Sequence, residues 1–184
     1  MKALVLVASA AAFCTALPAH AGIMVISGGS YAQGCFKAAE QNKATLEAIG
    51  TCNRAFSDEA LSAEDELATY VNRGILHMLR SNYVGANTDF TAATAMDPKR
   101  AEPWLNMGIL RFKQGNVSEA RTLFSKAIEL GTDMPEIAYY GRGLANEELG
   151  DVKSAYVDLR KAAELRPQWR EPARELARYQ VRPR

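Results

Sequence analysis

The chain has 184 residues, 48% of them hydrophobic and 23% charged, which suits one compact unit with a real core and excludes a disordered or fibrous chain. Its 22 basic residues face 21 acidic ones. No net field therefore draws nucleic acid or an acidic surface to it, and no nucleic-acid partner is expected.

The first 21 residues differ from the rest. Lys2 is their only charge, an apolar run follows from Ala3 to Phe13, and Pro18 precedes Ala19-His20-Ala21. A positive start, a short apolar stretch and an A-x-A site make a secretory leader. As a helix, residues 3–17 would span about 22 Å, short of the roughly 30 Å of a bilayer core. Cleavage after Ala21 is expected, with a periplasmic or secreted product and no stable membrane insertion. A lipid anchor on Cys14 is disfavoured because Phe13 stands where a lipobox needs a small residue. Without Lys2 the basic and acidic counts are equal.

Residues 22–66 read as a degenerate helical hairpin and a connection. Gly28-Gly29 is too short and isolated for a phosphate cradle; it reads as the start of a helix with Ser30 as cap candidate. Residues 30–56 carry a weak copy of the repeat found downstream, matched through Ala48 and Ala55. This places Cys35 on a first helix and Cys52 on a second, roughly level across the hairpin. In an oxidising compartment a Cys35–Cys52 disulfide follows as a hypothesis. Closing a loop of this size is worth about 3 kcal/mol on the entropy view. Residues 57–66 form an acidic connection, and its Asp58-Glu59 reads as solvated charge.

The middle of the chain repeats itself. Gly74, Gly108 and Gly143 are spaced by 34 and 35 residues. Ala86, Ala120 and Ala155 keep the spacing, as do Ala93, Ala127 and Ala162, and Phe90, Phe124 and Leu159. Tyr70, Trp104 and Tyr139 each lie four places before a glycine. The units are 67–100, 101–135 and 136–169. Each reads as two amphipathic helices, with small residues allowing close approach and large ones filling the space between. Ser81-Asn82, Gly115-Asn116 and Gly150-Asp151 mark the turns, and Pro98 and Pro167 stop second helices. In the second unit Thr132 replaces the proline, which is delayed to Pro135 by one extra residue. One such hairpin cannot bury its apolar face alone, so the units must stack into an all-α solenoid.

Residues 170–184 are expected to be a capping helix and tail. Leu176, Ala177 and Tyr179 would cover the third unit, with Arg170, Arg174 and Arg178 in water. Arginines 166, 170, 174, 178 and 182 recur every four residues; they read as a solvated cap, or alternatively as an anionic docking stripe.

The period of 34 and the aromatic-glycine-alanine-aromatic-alanine-proline order resemble the tetratricopeptide repeat family, over residues 67–167. The resemblance implies a helical protein–protein interaction scaffold without cofactor or catalytic residues. It also implies a concave groove lined by the first helices: Val71, Asn72, Ile75 and Met78; Leu105, Asn106, Ile109 and Phe112; Ile137, Tyr140 and Leu144. The groove is mostly apolar. Asn72 and Asn106, one repeat apart, either pair with the backbone of an extended peptide or merely solvate the groove. The chain's own N-terminal segment is a further candidate to cover it. Chaperone-binding members grip a carboxylate at places held here by Val71, Ile75, Asn106, Ile137 and Gly141; only Asn106 matches, so a hydrophobic peptide or helix is the expected ligand.

Nothing in the sequence assembles a catalytic or metal site. After cleavage His77 is the sole histidine, at a place where the family packs a tyrosine. Glu147-Glu148 reads as exposed charge. H-E-x-x-H, a phosphate loop and paired C-x-x-C motifs are missing. The leading reading is a periplasmic adaptor for another envelope protein. The alternative is a redox-active or redox-sensing protein using Cys35 and Cys52, although their spacing lacks the helix N-terminal arrangement that lowers a thiol pKa.

Overall fold

The computed structural model describes residues 4–8 and 22–183. In chain order these form β1 (Leu4–Ala8), α1 (Ser30–Glu40), α2 (Leu46–Asp58), α3 (Ala63–Leu79), α4 (Tyr83–Met96), α5 (Ala101–Lys113), α6 (Val117–Glu129), α7 (Pro135–Glu148), α8 (Val152–Leu165), α9 (Arg170–Leu176) and β2 (Tyr179–Pro183). The helices pair as hairpins α1–α2, α3–α4, α5–α6 and α7–α8. The hairpins stack in sequence, with α3, α5 and α7 side by side along the inner face. The architecture is an all-α solenoid.

The repeated small residues set the helix spacing. A Cβ added to Gly74 would lie 2.5 Å from Phe90, and one on Gly108 would lie 2.8 Å from Phe124. Each aromatic ring of a second helix thus rests on bare backbone of the first. Ala86, Ala93, Ala120, Ala127, Ala155 and Ala162 are wholly buried along the same seams.

The three intra-repeat turns share one geometry. Ser81, Gly115 and Gly150 are left-handed, with φ of 60°, 79° and 82°. Asn82, Asn116 and Asp151 then donate their amides back to the carbonyls of His77, Arg111 and Asn146, closing each helix with a Schellman motif. Asn82 and Asp151 also cap the following helices, accepting from the amides of Gly85 and Ser154. The helices α4 and α8 end at Asp97, which is extended, and at Arg166, just before Pro98 and Pro167. The helix α6 has no proline there. It closes through left-handed Gly131, and Pro135 opens α7 instead.

The N-terminal hairpin is tied as expected: Cys35 and Cys52 form a disulfide with Cα atoms 4.8 Å apart. The cap of its first helix is different from the expectation on Ser30. Ser30 is the first helical residue, and Gly29 ahead of it offers no side chain. The cap comes from Glu59, which accepts from the amides of Tyr31 (2.7 Å) and Ala32 (3.0 Å). A carboxylate at a helix N-terminus is favoured by both the free amides and the macrodipole. Glu59 is therefore not idle surface charge.

The C-terminal end also departs from expectation. The arginine run does not share one helix face. Arg166 caps α8, Arg178 lies past the end of α9, and Arg182 falls in β2. Arg178 leaves solvent to bond Glu147 Oε1 at 2.8 Å and Glu175, so Glu147 is half-buried by a partner and of the two only Glu148 is exposed. Tyr179 is buried and stacks near Tyr156, whereas Ala177 is exposed. β2 pairs antiparallel with β1, Ala8 opposite Tyr179. The leader expected at residues 1–21 is described only at 4–8; its cleavage site lies outside the described residues.

Candidate interaction site

The concave face is occupied. Residues 22–28 run along it as an extended strap that alternates in burial. Gly22, Met24 and Ile26 are buried, while Val25 is 75% exposed and Ser27 faces water. Period two is the signature of an extended chain with one face covered. Met24 and Ile26 join the main apolar core together with Val71, Ile75, Met78, Leu105, Ile109, Ile137, Tyr140 and Leu144. Phe112 packs against that core, partly buried. The apolar residues expected along the groove thus lie in the same buried core as Met24 and Ile26 of the strap.

Asn72 pairs with the backbone of the strap. It accepts from the Met24 amide (3.1 Å) and donates to the Met24 carbonyl (2.7 Å). One side chain satisfies both backbone groups of one residue, as the next strand would in a sheet. Asn106 donates to the Gly22 carbonyl at 3.3 Å and to the Glu102 carbonyl at 3.0 Å. Farther along, Asp65 accepts from the Ser27 amide at 3.0 Å. From the sequence Asp65 falls in the acidic connection at 57–66; its contact with the strap is not encoded in any local pattern. Toward the other end Tyr140 meets Trp169 edge-on, with ring centroids 4.8 Å apart. Burial and the nearby Glu175 and Glu171 carboxylates push the Tyr140 phenol above its ordinary pKa.

The strap enters at Gly22 with φ of 71°, and a Cβ there would lie 2.7 Å from Asn106 Nδ2. Glycine is required by both conformation and space.

The outer face carries charge already engaged. Arg73 makes a bidentate pair with Asp89, and Arg142 repeats it with Asp158. His77 is half-buried behind the first pair. Burial lowers its pKa below 6.5, against an opposing pull from Asp89. Among the described residues no group of His, Cys, Asp and Glu could hold a metal ion. No helix among them is long and apolar enough to cross a membrane.

The sequence profile of the tetratricopeptide repeat matches residues 71–135 and again 105–168, more than half of the chain. The chain belongs to the tetratricopeptide repeat family. Repeats of this family are generally non-catalytic and form protein–protein interaction scaffolds. Among curated proteins none matches this chain. Among solved structures, PilW, a widely conserved type IV pilus biogenesis factor, is 21% identical, with a TM-score of 0.70 over 80% of this chain and 66% of its own. MamA is 18% identical, with a TM-score of 0.64 over 82% of each chain. The Arabidopsis OM64 TPR domain is 21% identical, with a TM-score of 0.60 over 64% of this chain and 96% of its own. These likenesses concern the fold.

Proposed function

We propose that this repeat protein is a periplasmic adaptor whose concave face takes an extended apolar segment of an envelope protein. The strap at 22–28 supports this reading and describes the ligand. The ligand is an extended stretch with apolar side chains two residues apart, held at one residue by both oxygen and nitrogen of Asn72. The two-bond grip favours an extended peptide over a helix, whose backbone groups are already spent on each other. A partner segment of that kind takes the place of the strap. The resemblance of fold to PilW is compatible with work in an assembly of the cell envelope.

Two substitutions of opposite sign test the reading by crosslinking in the intact envelope and mass spectrometry of the captured proteins. Asn72→Ala removes the grip and lowers capture of a specific partner. Met24→Ala loosens the strap without touching the groove, and raises capture. Misfolding would lower both, so undiminished capture by Asn72→Ala, or reduced capture by Met24→Ala, refutes the groove as the site.

The redox reading of Cys35 and Cys52 has less support. Both sulfurs lie in wholly buried residues between α1 and α2, where an attacking thiol has no approach. This favours a structural bridge.

A further inference from the structure

Two polar side chains beside Gly22 are incompletely paired among the described residues, and one of them ends in a buried acceptor with no donor. Asn106 is fully buried, yet its Oδ1 has no hydrogen-bond partner. Its counterpart Asn72 Oδ1 has one, the Met24 amide. Glu102 is 7% exposed, and among the described residues its carboxylate receives the Asp133 amide, at 3.4 Å, and pairs with no cation. A buried acceptor without a donor is costly, and a mostly covered carboxylate is favoured by a cation beside it. Both belong to residues touching Gly22. Asn106 bonds its carbonyl, and a Cβ on Gly22 would lie 3.5 Å from Glu102 Cβ. The Gly22 nitrogen itself, as an amide, has one hydrogen, and this is spent on Met134 Sδ at 3.0 Å.

We infer that the concave face is a binding site for the chain's own processed N-terminus: the α-ammonium of Gly22, released by hydrolysis of the Ala21–Gly22 bond. Water adds across the peptide bond, leaving a carboxylate on Ala21 and an ammonium on Gly22. The ammonium has three hydrogens in place of one and a positive charge at neutral pH. One hydrogen remains with Met134 Sδ. The others serve the Asn106 amide oxygen and the Glu102 carboxylate, whose charge it neutralises. The bare left-handed Gly22 fits here because any side chain would strike Asn106. The strap is therefore completed by removal of the leader. An uncut chain presents an amide where the site is built for an ammonium. The inference rests on residues 1–21 being a removed leader; it does not depend on which partner the groove accepts.

The test uses the chain exported from an envelope-bearing host. Intact mass identifies the first residue, and an amine-reactive reagent followed by peptide mass spectrometry reads the reactivity of its amine. The expected result is a chain beginning at Gly22 whose amine reacts about tenfold or more slower in the native protein than in urea, as a group in a locally closed site does. Glu102→Gln, which keeps the shape and removes the charge, raises the native rate severalfold while the circular dichroism is unchanged. A chain carrying two extra residues ahead of Gly22 melts about 2 °C or more below the processed one. A mature chain beginning at another residue overturns the inference through the leader. A Gly22 amine that reacts equally fast in native and unfolded protein, or equal melting of processed and extended chains, overturns the capture and leaves the leader and the groove reading standing.

Discussion

Asn72 and Asn106 stand at the same place in successive repeats, and the strap uses them unequally. Asn72 meets both backbone groups of Met24, whereas Asn106 reaches only the carbonyl of Gly22 and keeps an orphan oxygen. Asn72→Ala leaves a buried amide and a buried carbonyl unpaired, and should cost about 2 kcal/mol or more. In a chain that still carries residues ahead of Gly22, Asn106→Ala also discards an unsatisfied acceptor, and should cost about 1 kcal/mol or less. Urea midpoints of the two variants give the comparison; equal losses would mean that the strap is not held as described.

The solenoid was legible because each repeat states the same thing. Gly108 needs Phe124 above it, and Gly74 needs Phe90, so the helical pairing follows from spacing. The disulfide followed from carrying that register upstream. What was not legible depends on residues far apart with no period. Glu59 caps a helix that begins 29 residues earlier at Ser30, and Asp65 holds Ser27 across 38. The arginine run misled because α8 ends ahead of Pro167 and α9 ends at Leu176, before Arg178 and Arg182. The cover of the concave face was not decided by the sequence, since a strap of seven residues alternating in burial resembles any short apolar stretch.

Ser81 offers a stabilising change. It occupies the left-handed closing position that Gly115 and Gly150 occupy in the next two repeats. A side chain there costs roughly 1 kcal/mol relative to glycine. Ser81 makes no side-chain hydrogen bond that would be forfeited by its removal. Ser81→Gly should raise the unfolding free energy by up to about 0.5 kcal/mol, after the extra chain entropy of glycine is subtracted. A lower melting temperature would contradict this.

Gly108→Ala should do the reverse, although alanine is the better helix former by about 1 kcal/mol. The new methyl would stand 2.8 Å from Phe124 Cδ1 and Cε1. Phe124 is itself fully buried beneath α5 and cannot swing away. Overpacking costs about 1–3 kcal/mol, so the net change is destabilising. Differential scanning calorimetry of the variant should show a lower midpoint.

His77 makes stability depend on pH. Asn82 fixes its amide by accepting from the Gly85 amide with Oδ1, so its Nδ2 donates to His77 Nδ1 at 3.0 Å. That nitrogen must be unprotonated, and burial lowers the pKa accordingly. The unfolded chain then takes up a proton before the folded one does. The contribution is complete above the ordinary pKa of 6.5 and is lost as pH falls through it toward the depressed folded value. Denaturant midpoints should fall between roughly pH 7 and pH 5, and His77→Gln should flatten that slope. A slope unchanged by the substitution would assign the dependence to other groups.

The disulfide should act locally. It closes a separation of 17 residues within the terminal hairpin, and the entropic estimate for such a loop is about 3 kcal/mol. In a stacked array each hairpin leans only on its neighbours, so loss of the bridge should not spread evenly. In the Cys35→Ala/Cys52→Ala double variant, amides of α1 and α2 should lose hydrogen-exchange protection first. Those of α7 and α8 should keep theirs. The α1 terminus remains capped by Glu59, and the strap remains held by Asn72, so the hairpin loosens but stays docked. The wild-type bridge should also resist reduction, with a potential below about −300 mV. A value well above that would revive a redox role for Cys35 and Cys52. Equal loss of protection across all four hairpins would show instead that the solenoid unfolds as one unit.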